Sequence, residues 1–219
     1  MKKEIVRLIL EMSGKYTPYE IFSDWIAACA ISIQNSCVLF HDGLYKKREE
    51  QYLGIAGKYS EKELMDFSRM TAELADSMET EGMTDVLGEI FMETGCGNGR
   101  TGQFFTPFHI SQLSAEVAFQ LHHHEENNVI EINEPSCGAG GMIIACAKIL
   151  KKWGVNYQRC MKVVAQDLDW KSVYMTYIQL SLLGIRAKVV QGNTLTEPYA
   201  AGYEKERVFF TPAEMGALI

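Results

Sequence analysis

The sequence predicts an open α/β sheet preceded by an α-helical domain, and three observations carry that reading. The apolar run Val129-Ile130-Glu131-Ile132 passes through Asn133-Glu134-Pro135-Ser136-Cys137-Gly138-Ala139-Gly140-Gly141 into Met142-Ile143-Ile144-Ala145-Cys146-Ala147, which reads as strand, glycine turn and helix. A second strand pattern, Met161–Gln166, follows after about thirty residues, the length of one βαβ unit, and a third, Ala187–Gln191, follows that. Residues 1–94 show helical spacing instead.

Along the chain, Thr17-Pro18-Tyr19-Glu20 predicts a capping box with proline at the first helical position. The helix it opens places Phe22, Trp25, Ile26, Cys29 and Ile33 on one buried face. Residues 45–52 are charged and read as a helical surface or connector. Ser60-Glu61-Lys62-Glu63 caps a second helix with Leu64, Phe67, Thr71, Leu74 and Met78 on its inner face, and Thr84 caps a third over 85–92. Residues 95–103 hold glycines at 95, 97, 99 and 102 and read as a linker in which Arg100 is an exposed loop arginine. The sheet domain is expected over 104–219. Thr106-Pro107 opens its first helix, with Ile110, Leu113, Val117 and Leu121 expected on the buried face and His122-His123-His124 at the end. A later helix, 171–183, is expected to pack on the sheet with a polar outer edge of Tyr174, Tyr177 and Gln179, and Gly184 stops it. Arg207-Val208-Phe209-Phe210 reads as the fourth strand.

Ligands of open α/β sheets bind outside the carboxyl ends of the strands. The glycine turn sits at such an end, where missing Cβ atoms admit a ligand to the backbone and the helix N-terminus offers N–H donors, so a small anionic ligand is the first reading and a plain tight βα loop the other. At the tip of the second strand, in Asp167-Leu168-Asp169, a carboxylate is placed to accept from both hydroxyls of a ribose. At the third, in Gly192-Asn193-Thr194, a side-chain amide is placed to read an adenine edge. Jointly the three ends describe a nucleoside with a compact polar tail.

These residues carry a family resemblance. Gly102-Gln103-Phe104-Phe105-Thr106-Pro107, Glu134-Pro135-Ser136-Cys137-Gly138-Ala139-Gly140-Gly141, Asp167-Leu168-Asp169 and Gly192-Asn193-Thr194-Leu195 stand in the order found in S-adenosylmethionine-dependent adenine-N6 DNA methyltransferases. The chain resembles above all the modification subunit of type I restriction systems. The resemblance implies a Rossmann-like methyltransferase sheet, here truncated, and S-adenosylmethionine as cofactor. It implies cofactor binding by Gln103, Phe105, Thr106, Glu134, Ser136, Cys137, Gly138, Gly140, Asp167 and Asn193. Thr106 and the 134–140 loop would take the methionine part, Asp167 the ribose, and Asn193 the place where the family has an aspartate facing adenine.

The resemblance fails at the target base. Adenine-N6 methylation needs a flipped base held by an amide and an aromatic face, which the family supplies as Asn/Asp-Pro-Pro-Tyr/Phe after its fourth strand. Here that place falls on Thr211-Pro212-Ala213-Glu214, so Thr211 and Pro212 mark a degenerate catalytic position, and Glu197-Pro198-Tyr199 reads as a loop turn. The isolated chain is therefore expected to transfer no methyl group. Two functions follow: a methyltransferase completed by a partner, or a catalytically silent S-adenosylmethionine-binding or interaction module. Partners implied are a specificity or restriction subunit, DNA only together with other subunits, or a second copy through the exposed edge of the last strand.

With 219 residues the chain suits one domain or two small ones, and its 47% hydrophobic and 22% charged composition is that of a globular protein. The net charge of −7 has the wrong sign for gripping phosphates alone. The cysteines lack paired CxxC spacing, so no metal site or disulfide framework is expected, and Cys137 reads as packing rather than as a nucleophile. No run has the length of a membrane span and the charged N-terminus lacks the signal-peptide pattern, so a cytoplasmic location is expected.

Overall fold

The structure, a computed structural model, describes residues 1–80, 82–95, 105–121, 129–200 and 202–216. It divides into two compact units, Met1–Gly82 with Val86–Phe104, and Met83–Asp85 with Phe105–Ile219.

The first unit is helical: α1 Lys2–Met12, α2 Pro18–Ser36, α3 Gly43–Ala56, α4 Glu61–Thr80 and α5 Val86–Glu93. At the start of α2 both halves of the expected capping box form between Thr17 and Glu20. Phe22, Trp25 and Ile26 are buried, Phe22 lies 5.5 Å from the Phe91 ring, and the Trp25 indole donates to Thr71 Oγ1 at 3.0 Å. Helix α1 went unread at sequence level, although Ile5, Leu8 and Ile9 have helical spacing and are buried.

The second unit holds α6 Phe108–Leu121, β1 Ile130–Glu134, α7 Gly141–Lys152, α8 Tyr157–Cys160, β2 Met161–Asp167, α9 Trp170–Leu182, β3 Arg186–Gln191 and β4 Val208–Phe210. The strand order is β1-β2-β3-β4, with β1, β2 and β3 parallel and β4 antiparallel to β3. One face of the sheet carries Met161, Val163, Ala165, Ala187, Val189 and Phe209, all buried, with α9 packed on β2 and β3. The opposite face carries Glu131, Lys162, Arg186 and Lys188 around an open groove of about 490 Å³. Lys162 and Arg186 are register partners on β2 and β3, and Glu214 stands 3.6 Å from Arg186 and 3.8 Å from Lys188, so a carboxylate offsets part of the positive charge of this face.

Two helices turn other faces inward than their apolar spacing predicts. On α6, Ile110, Leu113 and Val117 are 43, 58 and 48% exposed, while Ser111, Ala115 and Phe119 are buried. Small residues at 111 and 115 let α6 lie close against α7, which outweighs burial of the larger side chains. The side chain of Leu121 lies outside the described residues. Helix α9 has no polar outer edge, because Tyr174, Tyr177 and Gln179 are all buried. The tyrosine rings pack 5.6 and 5.0 Å from Phe209, and hydrogen bonds occupy the glutamine amide.

The main correction concerns β4. The chain from Gly192 to Arg207 holds no α-helix among its described residues, whereas a parallel crossover takes a helix in most cases. The chain therefore returns antiparallel, and the residues after β4 lie beside the amino end of β3. Thr211 is fully buried there: its hydroxyl donates to Ile185 O at 2.7 Å and accepts from Ala187 N–H at 2.9 Å. Ala187 and Gln191 are four residues apart on β3, roughly 13 Å at strand rise, so Thr211 and Pro212 do not stand at the strand ends that carry the glycine turn. Thr211→Val keeps the volume but strands two buried backbone groups, and we expect it to lower stability in urea unfolding by about 1–3 kcal/mol. An unchanged midpoint would show that the hydroxyl does not dock β4.

Candidate functional site

The turn between β1 and α7 is held by the neighbouring strand ends. Cys137 N–H donates to Gln166 O at 3.0 Å and Gly138 N–H donates to Asp167 Oδ2 at 2.9 Å. The other carboxylate oxygen of Asp167 accepts from Asp169 N–H at 2.9 Å, and its backbone carbonyl accepts from Gly192 N–H at 2.8 Å. Thr194 Oγ1 closes the set by donating to Pro135 O at 2.6 Å. Asp167 thus ties the carboxyl ends of β1, β2 and β3 into one surface.

The glycines of the turn are spaced for protein atoms. A Cβ on Gly138, whose φ is +54°, would stand 2.9 Å from the Phe105 ring. On Gly140, with φ +94°, it would meet Thr176 Oγ1 at 3.2 Å, and on Gly141 it would meet Asp85 Oδ2 at 3.2 Å. Asp85 therefore brings negative charge to the first turn of α7, where the helix dipole favours it. That end is matched by the protein's own carboxylate, which works against the small anionic ligand the bare sequence suggests.

A family model for N-6 DNA methylases matches residues 83–214, more than half of the chain. The chain belongs to the N-6 DNA methylase family. It is accordingly an S-adenosylmethionine-dependent methyltransferase-like protein, and the adenine-N6 resemblance read from its motifs is upheld. Among solved structures, the chain is similar to a Listeria monocytogenes protein described as a class I S-adenosylmethionine-dependent methyltransferase, with 12% identity, a TM-score of 0.49, and coverage of 98% of this chain and 68% of that one.

Within this methylase-family fold, Phe105, Glu134, Ser136, Cys137, Gly138, Gly140, Asp167 and Asn193 all lie in the turn, against it, or at the ends of β1, β2 and β3. Thr106 is exposed ahead of α6. Asn193 Oδ1 accepts from Leu195 N–H at 3.0 Å, so that oxygen caps its own loop. Cys137 is buried and burial pushes its thiol up, the wrong direction for a nucleophile. Gln103, Arg100 and His122 to His124 lie outside the described residues. Among the described residues no cluster of His, Cys, Asp or Glu is arranged to hold a metal, and no helix is long and apolar enough to cross a membrane. Sequence reading missed Leu168 and Leu195, 66 and 94% exposed after β2 and β3. An apolar residue between Asp167 and Asp169, directly after a strand, was the available signal.

Burial raises the pKa of both Glu134 and Asp167, and the charge of Asp167 adds to the effect on Glu134. Asp169 also stands beside Asp167, but Lys171 offsets it at 2.8 Å. The strand ends thus form a carboxylate-lined surface that favours hydroxyl donors and cationic groups. This fits S-adenosylmethionine, which presents ribose hydroxyls, an ammonium and a sulfonium and is a net cation despite its carboxylate. A carboxyl with a raised folded-state pKa opposes folding once ionised, so its cost appears as pH rises through the raised value. Glu134→Gln is therefore expected to gain stability over the parent chain above pH 4.5, the ordinary value, and not below it. Thermal melts across pH 3.5 to 8, spanning that carboxylate range, read this directly, and a constant difference would refute it.

Proposed function

We propose that this chain binds S-adenosylmethionine at the carboxyl ends of β1, β2 and β3, and that it is the cofactor-binding part of an adenine-N6 DNA methyltransferase of the type I modification class. The observation that carries the reading is the carboxylate-lined surface that Asp167 builds beside the glycine turn. Bound there, S-adenosylmethionine supplies an electrophilic methyl group on sulfonium. Asp167 keeps acceptor capacity for a ribose hydroxyl after its two backbone bonds and the Ser172 hydroxyl bond are made, because a carboxylate has about four acceptor sites. Glu134 balances the cationic methionine end, and Leu168 and Leu195 offer apolar surface for a flat ring.

The target base needs groups from elsewhere. Thr211 spends its hydroxyl inside the sheet, and a net charge of −7 leaves the phosphate grip to other polypeptide, in keeping with a specificity or restriction subunit as partner. That the sequence of this chain holds no Asn/Asp-Pro-Pro-Tyr/Phe tetrapeptide supports the second reading, a catalytically silent cofactor-binding module.

Calorimetric titration of the purified chain with S-adenosylmethionine tests the proposal. We expect micromolar-class binding, its loss in Asp167→Ala, and no transfer of labelled methyl to adenine-containing DNA by the chain alone. No heat at millimolar-class cofactor would sink the cofactor reading, and methyl transfer without a partner would sink the need for one.

A further inference from the structure

Gln179 lies on α9 with its side chain fully buried, between Ile178 and Leu180, which are equally buried. A primary amide in such a place costs stability unless its polar atoms are used. Its Nε2 donates to Ala139 O at 2.7 Å and to Asp85 Oδ1 at 2.8 Å, so each amide proton has a partner. One turn earlier on the same helix, Thr176 Oγ1 donates to Gly138 O at 2.9 Å. The two carbonyls that the left-handed turn directs inward are thus both held by α9, while Asp167 holds the Gly138 N–H from β2.

Asp85 is the second half of the device. It is buried, and its other oxygen lies 3.2 Å from where a Cβ on Gly141 would stand. Neither Gln179 nor Asp85 belongs to the turn, and neither is at a strand end. We infer that they are positioning residues: Gln179, held by Asp85, sets the peptide plane that carries the Ala139 carbonyl, and so decides whether the turn is already in its binding shape before a cofactor arrives. The inference rests on the cofactor reading above for its consequence, but not for its geometry. Asp85 thus reaches the turn through two hydrogen bonds in series, the one it accepts from Gln179 and the one Gln179 donates to Ala139 O.

The test uses Gln179→Met, which conserves volume and removes both donors, with two measurements on the whole chain. Amide hydrogen exchange without ligand should accelerate about tenfold or more at Gly140 to Ile144, as expected for a lost buried hydrogen bond, while β2 and β3 stay protected. Affinity for S-adenosylmethionine should weaken by a similar factor. Asp85→Ala, which leaves the Ala139 bond in place, should give a smaller change of the same sign in both. If Gln179→Met does not fold, Asp85→Ala alone decides by the same two readings. Exchange within about twofold of the parent chain, less than one such bond is worth, would overturn the positioning role whether or not the parent binds cofactor. Accelerated exchange with no cofactor binding in the parent would keep the clamp and reject the cofactor reading.

Discussion

The two backbone N–H groups that share the Asp167 carboxylate are the constraint on which the rest of this site depends. Gly138 and Asp169 sit at the ends of different strands, and no backbone ladder joins their N–H groups. Putting one carboxylate between them fixes the turn after β1 relative to the loop after β2, and the Gly192 N–H on the Asp167 carbonyl brings in β3. The arrangement concentrates negative charge. Asp167 and Glu134 are half-buried near one another and burial raises both above their ordinary values, a cost that a cationic ligand relieves and an anionic one deepens. Fold and ligand class are linked through that one side chain.

Much of this was legible in the residues. The glycine turn, the strand that ends at Asp167 and the strand that ends before Asn193 were read in their order, and the family match covers the same stretch. The reason is physical: parallel strands with short βα loops write strong local patterns, an apolar run followed by glycine or acid. What escaped depends on partners distant in sequence. The purpose of Gly138, Gly140 and Gly141 was read as room for a ligand, whereas Phe105, Thr176 and Asp85 stand close against the positions their Cβ atoms would take. The buried side of α6 is Ser111, Ala115 and Phe119 rather than Ile110, Leu113 and Val117, because the small side chains at 111 and 115 permit close packing that apolar spacing alone does not reveal. Gln179 looked like a surface residue because polarity alone does not tell whether both ends of an amide have partners.

The fourth strand shows how a sound pattern can be placed wrongly. Arg207 to Phe210 does carry a strand, but direction is a tertiary property, set here by a connection without a helix. Turning antiparallel takes Thr211 to the amino end of β3, where its hydroxyl substitutes for ladder partners. The question about target-base chemistry changes with it. Thr211 and Pro212 are not a worn catalytic motif in place; they are structural residues at another part of the sheet. The sheet's open face sets Lys162, Arg186 and Lys188 between Glu131 and Glu214, which offset part of their charge.

The central claim is that one surface at the ends of β1, β2 and β3 is a preformed cofactor site. Amide chemical-shift mapping during titration with S-adenosylhomocysteine, the demethylated form of the cofactor, tests it most directly. The account predicts saturable shifts confined to residues 134–141, 167–169 and 193–195, with the amides around Thr211 unmoved. Shifts centred on the open face or on β4, with those three segments silent, would contradict it.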